Sequence, residues 1–565
     1  MARVIGLGID AGSIWFIEEL IAAGSLPNLC AVRERSLRVP LDGAPNYRYG
    51  VLWPQFVAGA EARVGGEWQR FSFDPSTYEG YQSGARHTID GRPPFWEPAE
   101  ARVVTLDVPG TTVLGPGVHI TAWGADAALY PRASQPRGLL REFDARFGVH
   151  PGFETYDCGW HDPKRLDRFT DACVTGARRR ADIAVELMTR FPDWELFLAV
   201  MSESHMASEV MWHGVEPDHP LADFDPRARA RLERVFREID DAVGRVIAQA
   251  PDDATVVIFS LDGMRSSPGD VPSVALFPEL MHRHQFGTSK LRDDVDVPAW
   301  RAAGCPPLVP RRGRAWRVDL NERLVDPPHQ PWRHRVPGYD AARLSTPGRR
   351  LRKYRTGMEI GVLGVPVPPE STADPETLDA VRDSADEFLF IGNYREHRSA
   401  MRAFALPTFG GAYVRINLAG REPLGIVPLD EFESECRAVE TLIRACRDVR
   451  TGEPVVARID RLGNNDPLDT SEDRYGDLIV EWSRPTDAIE HPELGVVGPV
   501  PFNRTGAHSD RGFAWVSGEG LTPGDLPVHS VLDLPPTIVR LLGADRQLPP
   551  SGEPIPELVR IRGSL

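Results

Sequence analysis

Lysine is almost missing from this chain: of its 65 cationic residues only Lys164, Lys290 and Lys353 are lysines. The arginines are spread along the chain without a dense basic run, and 81 acidic residues bring the formal net charge to −16. An electrostatic grip on nucleic acid or an anionic membrane therefore has no patch to work from. Cysteine is scarce too. Cys30, Cys158, Cys173, Cys305, Cys436 and Cys446 lie far apart with no C-x-x-C pair, which excludes a disulfide scaffold and reads as reduced, mostly buried thiols. No apolar run reaches the roughly 18 residues a membrane span needs. The N-terminus runs straight into VIGLGID with no basic leader or small-residue cleavage site, so the expected location is cytoplasmic. What remains is 565 residues, 41% hydrophobic and 26% charged, with no internal repeat or low-complexity tract, which is ordinary globular composition.

The order of elements is informative. Val4 to Asp10 is an apolar run ending in a carboxylate, followed by a helical pattern at Ile14, Ile17, Leu20 and Ile21. Leu196 to Met201 (LFLAVM) is a second buried strand, entering a polar, helix-like SESHMASE. Residues 227–249 carry apolar side chains at helical spacing, a Pro251-Asp252-Asp253 turn follows, and TVVIFSLDG is a third strand. YVRINL, DLIVEW and GFAWVSG read as later strands, with helices around 429–447 and 534–542. Continuous apolar strands alternating with amphipathic helices predict an α/β fold with a doubly wound, mostly parallel central sheet and helices on both faces. The whole chain, 1–565, reads as one such domain. Segments 60–180 and 265–400 lose the pattern and read as insertions above the sheet, forming a lid whose tryptophans (Trp96, Trp123, Trp160, Trp300, Trp316, Trp332) line a pocket or fill a second core.

In an open parallel sheet, ligand-binding groups gather at the carboxyl ends of the strands. Four strand-associated turns deliver such groups here: Asp10, the segment holding His205 and Glu209, Asp262, and His508 in TGAH. Each alone is explained by a helix cap, a helix face or a turn. Together they offer oxygen and nitrogen donors at one edge, and the i, i+4 spacing of His205 and Glu209 puts both on one helix face. A metal ion is the natural use of such convergence, because carboxylates sharing a crevice without a cation repel one another. Gly6-Leu7-Gly8-Ile9-Asp10-Ala11 also fits a dinucleotide fingerprint. Asp10, however, would put a negative charge among amides meant for a pyrophosphate.

Taken in order, IGLGIDAGSIWFIEELIAAGSLPNL, LFLAVMSESHMASEVMWH, FSLDGM, INLAGREPLGIV and GAHSDRG resemble the alkaline phosphatase superfamily, in its type I phosphodiesterase and nucleotide pyrophosphatase branch. The resemblance implies a hydrolase with two metal ions, commonly zinc, at the sheet edge, and a Thr or Ser nucleophile. The family's N-terminal metal Asp falls on Asp10 and its C-terminal metal His on His508. Its middle Asp and His fall on His205 and Glu209, and its Asp-His pair on Leu261 and Asp262. The nucleophile's stretch, T-P-P-A-W-T-S-F-V-T-G in the family, is YGVLWPQFVAG here, which puts Tyr49 in its place. There is no Ser, Thr or Cys between Leu37 and Phe71, so the usual covalent step cannot start from that loop.

The reading is a metal-dependent enzyme with a rebuilt centre. Asp10, His205, Glu209, Asp262 and His508 bind one or two ions of Zn, Mn or Fe, and the reaction runs by metal-bound water or through Tyr49. The substrate is a small, anionic molecule, a phosphate or sulfate ester among the options, with no nucleic acid or membrane partner. The alternative is a catalytically inactive relative that binds a ligand or partner on the same scaffold. Around the site, His213 reads as a surface histidine, Arg48 as a solvated loop residue, and Asn503 and Thr505 as neighbours of His508.

Overall fold

The computed structural model describes residues 2–43, 52–61, 71–83, 92–111, 115–124, 132–152, 159–311, 316–327, 370, 382–408, 410–462, 466–469, 475–543 and 552–559. Tyr49, Arg48, Cys158 and Trp332 lie outside them.

The strand Val4–Ile9 sits at the middle of a ten-stranded sheet, because every one of its residues is apolar or glycine and buried. It pairs in parallel with Leu196–Met201 on one side and Thr255–Ser260 on the other. Val103–Leu106 and Val118–Thr121 continue the parallel part beyond Leu196–Met201. Arg511–Ser517 runs antiparallel between Thr255–Ser260 and Leu37–Asp42. The alternation of side chains across strands gives the sheet two cores. Ile5, Leu7 and Ile9 face helices Ile14–Ala22, Pro163–Arg190 and Ala228–Ile247, whereas Val4, Leu198 and Val257 face helices Leu52–Ala58 and Leu534–Leu541. The architecture is the expected doubly wound, mostly parallel α/β sheet with helices on both faces.

The insertions fall differently from their expected boundaries. Segment 60–180 supplies three strands of the central sheet (Val103–Leu106, Val118–Thr121, Ala133–Gln135) and most of the long helix Pro163–Arg190. Those strands are only three or four residues long and separated by Pro- and Gly-rich turns, so no periodicity marks them. Part of 265–400 folds together with 403–502 around a separate apolar core, on a four-stranded antiparallel sheet that contains Ala412–Ile416 and Leu478–Trp482. Trp96, Trp123, Trp160 and Trp300 are core residues, each at most 6% exposed, and do not line a lid. The five described cysteines are free, and all but Cys30 are buried. Among the described residues no helix is long and apolar enough to cross a membrane.

Candidate metal centre

Asp10 leaves the carboxyl end of the central strand almost fully buried, 3% exposed. Its Oδ1 accepts a 2.7 Å hydrogen bond from Trp53 Nε1 and its Oδ2 lies 3.0 Å from His205 Nδ1. Gly8 makes that possible: a Cβ there would sit 3.1 Å from the Trp53 ring, 3.2 Å from Val200 and 3.3 Å from Phe259. The G-x-G pattern at the strand end thus serves close packing of an indole over the aspartate. Trp53 is the second residue of the helix Leu52–Ala58, within the same YGVLWPQFVAG stretch that contains Tyr49 in the sequence.

His205 and Glu209 ride on the helix Glu203–Met211, which is buried along its whole length. Ser204 ties its first turn to the central strand by donating to the Asp10 carbonyl at 2.6 Å. One helical turn brings Glu209 Oε1 to 3.3 Å from His205 Nε2. Arg504 Nη1 lies 2.9 Å from the same Glu209 oxygen, and Thr505 donates its backbone N–H to the Glu209 carbonyl at 2.9 Å. Arg504 is itself held by Asp270, whose Oδ2 accepts from its backbone N–H at 3.0 Å.

Asp262 follows the strand Thr255–Ser260, and His508 sits on a short strand, Gly506–Ser509, paired antiparallel with Gly263–Ser266. That hairpin-like contact sets His508 Nδ1 2.5 Å from Asp262 Oδ2. Asp262 Oδ1 is buried and has no hydrogen-bond partner. The His205 and His508 rings meet with centroids 4.6 Å apart.

The five residues singled out from the sequence therefore converge, but in two roles. His205, Glu209 and His508 each present one donor atom, all within 4.8 Å of one another, close enough to share one ion after a small side-chain adjustment. Asp10 and Asp262 stand behind the two imidazoles on Nδ1. A carboxylate can only accept, so Nδ1 carries the proton and a neutral ring turns its Nε2 lone pair toward the centre. This carboxylate–histidine arrangement fixes tautomer and orientation in metal sites. Both Asp10 oxygens are already engaged. Leu261, at the position of a family ligand, is 1% exposed and packs in the apolar core.

Electrostatics follow the same pattern. Burial works against the charge on Asp10, but His205, His508 and the bonds from His205 and Trp53 outweigh it and hold the carboxyl below its usual range. Burial likewise opposes ionisation of Glu209, and Arg504 and His205 overcome it. His205 is pushed well above its usual value: burial disfavours its charge, but Asp10 and Glu209 on either side favour it more. The two carboxylates thus favour a positive charge at His205, and an ion bound at Nε2 would supply that charge in place of a proton.

Sequence reasoning passed over several residues. Trp53, Arg504 and Asp270 carry no motif. The helix Glu203–Met211 is also braced from beneath by a buried ion network: Arg180 Nε meets Glu203 at 3.0 Å, Arg180 Nη1 meets Asp107 at 2.6 Å, and His150 Nε2 lies 3.0 Å from Glu203. Asp107 follows the strand VVTL as Asp10 follows VIGLGI, so its signal was present in the chain. His213 is fully buried, not at the surface, with Nδ1 3.3 Å from Thr505 Oγ1. Burial lowers its pKa to about 4. Thr505 is fully buried between His213 and Glu209, and Asn503 is half-buried.

No protein-family model and no curated protein matches the chain. Among solved structures it is similar to phosphonoacetate hydrolase from Sinorhizobium meliloti in complex with phosphonoformate, at 12% identity over 96% of this chain and 95% of that one, with a TM-score of 0.45. It is also similar to murine ectonucleotide pyrophosphatase/phosphodiesterase 5 in complex with AMP, at 8% identity over 99% of this chain and 100% of that one, with a TM-score of 0.47.

Proposed function

We propose that this chain is a metal-dependent enzyme of the alkaline phosphatase superfamily with a rebuilt, single-ion centre that acts on an ester of a small anionic molecule. The observation that carries this is the donor set itself: two imidazoles, each backed by a carboxylate on Nδ1, converge with a glutamate whose position is held by Arg504 and by the Thr505 backbone. His205, Glu209 and His508 would hold the ion, with coordination positions left over for ligand and water. Two nitrogens and one oxygen suit Zn, Mn or Fe. A divalent ion there supplies Lewis acidity toward an ester oxygen and toward water.

The chain's own residues do the rest. Asp10 and Asp262 keep the imidazoles in the metal-binding tautomer and stabilise any positive charge they gain. Trp53 fixes Asp10. Arg504 keeps Glu209 ionised and aimed at the histidines. Tyr49, which the family resemblance puts in the nucleophile's place, supplies a phenol as acid, base or nucleophile.

Metal analysis tests the reading. The protein is expressed in media supplied with Zn, Mn and Fe and assayed for bound metal. The expectation is about one ion per chain, as the one three-donor set among the described residues implies, lost in Glu209→Gln and in His508→Ala. Hydrolysis of chromogenic phosphate mono- and diesters and sulfate esters then assigns the reaction. A chain that takes up no metal under these conditions is the inert scaffold, and the enzyme reading fails.

A further inference from the structure

At the opposite, amino edge of the central sheet lies an open cavity of about 580 Å³ that the metal centre does not use. It forms where Val103 and Val118 begin their strands, between the turn 191–194 that closes the helix Pro163–Arg190 and the loop around Trp96. Its walls are mostly apolar, with Trp96, Phe191 and Trp194 as the large surfaces. Such a cavity with a few polar groups is the usual form of a small-molecule site.

Two features define what fits. The Trp96 indole N–H is buried and has no hydrogen-bond acceptor. A buried donor left without a partner is costly, so the wall offers it to a ligand oxygen or π surface. The second is charge. The two arginines of the lining are spoken for: Arg102 pairs with Glu195 at 3.3 Å and Arg190 with Glu142 at 2.6 Å. Among the acids of the lining, Glu97 and Asp193 stand beside the apolar walls. Glu97 has no ion-pair partner among the described residues, and its burial pushes its carboxyl above the usual value. A cation beside it removes that penalty.

We propose that this cavity is a binding site for a small protonated amine with an aromatic or aliphatic body, the ammonium meeting Glu97 and the body packing against Trp96, Phe191 and Trp194. The site is independent of the metal centre, which lies at the other edge of the sheet.

Calorimetric titration of the full chain with three probes that share one ring system and differ in charge decides the matter: tryptamine, 3-methylindole and indole-3-propionate. Tryptamine should bind at least about tenfold tighter than the anionic probe, the scale of one charge-assisted contact. Glu97→Gln should remove that preference while leaving the weak binding of 3-methylindole. Ala101→Trp, which fills the cavity from its wall, should abolish binding of all three. His508→Ala, at the metal centre, should leave tryptamine binding unchanged. Equal binding of the three probes, no saturable binding, or a preference that survives Glu97→Gln overturns the proposal. Loss of tryptamine binding in His508→Ala also overturns it, because the amine would then sit among the carboxylates of the metal centre.

Discussion

Replacing Arg180 by methionine keeps a long unbranched side chain but removes a guanidinium that serves two buried carboxylates. Arg180, Asp107 and Glu203 are all completely buried. The guanidinium reaches Glu203 through Nε at 3.0 and 3.2 Å, Asp107 through Nη1 at 2.6 Å and Ser202 through Nη2 at 2.8 Å, with its Cζ 5.2 Å from the centroid of the Trp123 ring. Removing one partner of a buried ion pair costs about 3–5 kcal/mol because the other charge is stranded. Burial raises the Glu203 carboxyl, and Arg180 together with His150 brings it down to about 2, so the carboxyl left behind by Arg180→Met faces its burial with His150 alone. The expected loss is about 3–5 kcal/mol. The chain has separate cores for the central sheet and for the 403–502 region, so a single global transition is a poor measure. Native-state hydrogen exchange in increasing urea, read on peptides covering 196–211, reports the local opening energy directly. Pairing Arg180→Met with Glu203→Gln should recover part of the loss, since no charge is then stranded at that carboxyl. A single variant within 1 kcal/mol of the parent chain, about the scale of one ordinary hydrogen bond, or a double variant as poor as the sum of the two, refutes the reasoning.

Asp262→Asn should weaken metal binding by about 10- to 100-fold without removing a ligand, because His508 loses the carboxylate that fixes its tautomer; competition with a chromogenic chelator measures it. Gly8→Ala adds a methyl 3.1 Å from Trp53 and 3.2 Å from Val200, an overpacking cost of about 1–3 kcal/mol, and should lower the melting temperature while weakening metal binding through the displaced Trp53–Asp10 contact. Burial lowers His119 and His213 to about 4 and His219 to about 3, so all three are neutral in the folded chain at mild acidity. The unfolded chain protonates them near pH 6.5, so it binds more protons and stability falls as the pH drops below that value, levelling only near pH 4 where the folded chain follows. Each histidine should cost about 2 kcal/mol between pH 7 and pH 5. Urea denaturation across that range tests the slope, which His119→Gln should flatten by one proton; an unchanged slope contradicts the assignment.

Strand ends that deliver a carboxylate are readable because a buried strand needs an unbroken apolar run and a polar residue then marks where it stops. That is why Asp10, Asp262 and the turn after Leu196–Met201 are legible in the sequence. Asp107 satisfies the same rule and escaped it, because Val103–Leu106 is a four-residue strand inside a segment with no helix of matching pattern before it. His213 escaped for a different reason: its partner Thr505 is 292 residues away, and burial of a polar ring is decided by such remote contacts. The division of labour within the centre was beyond the sequence altogether. A histidine four residues before a glutamate says that both share a helix face. It says nothing about whether an aspartate 195 residues distant will bind the ion or the back of the imidazole. Those alternatives differ by a rotamer and about the length of one hydrogen bond, and Trp53 decides between them for Asp10 by taking the second oxygen. The residue that makes Trp53 fit is Gly8, one of the two glycines that imitate a nucleotide fingerprint. What looks like a phosphate loop in one dimension is therefore the packing condition for the Trp53–Asp10 contact behind the proposed metal centre, and the Gly8→Ala experiment separates the two meanings: a phosphate loop would lose nucleotide binding, whereas the proposed centre should lose metal affinity and stability together.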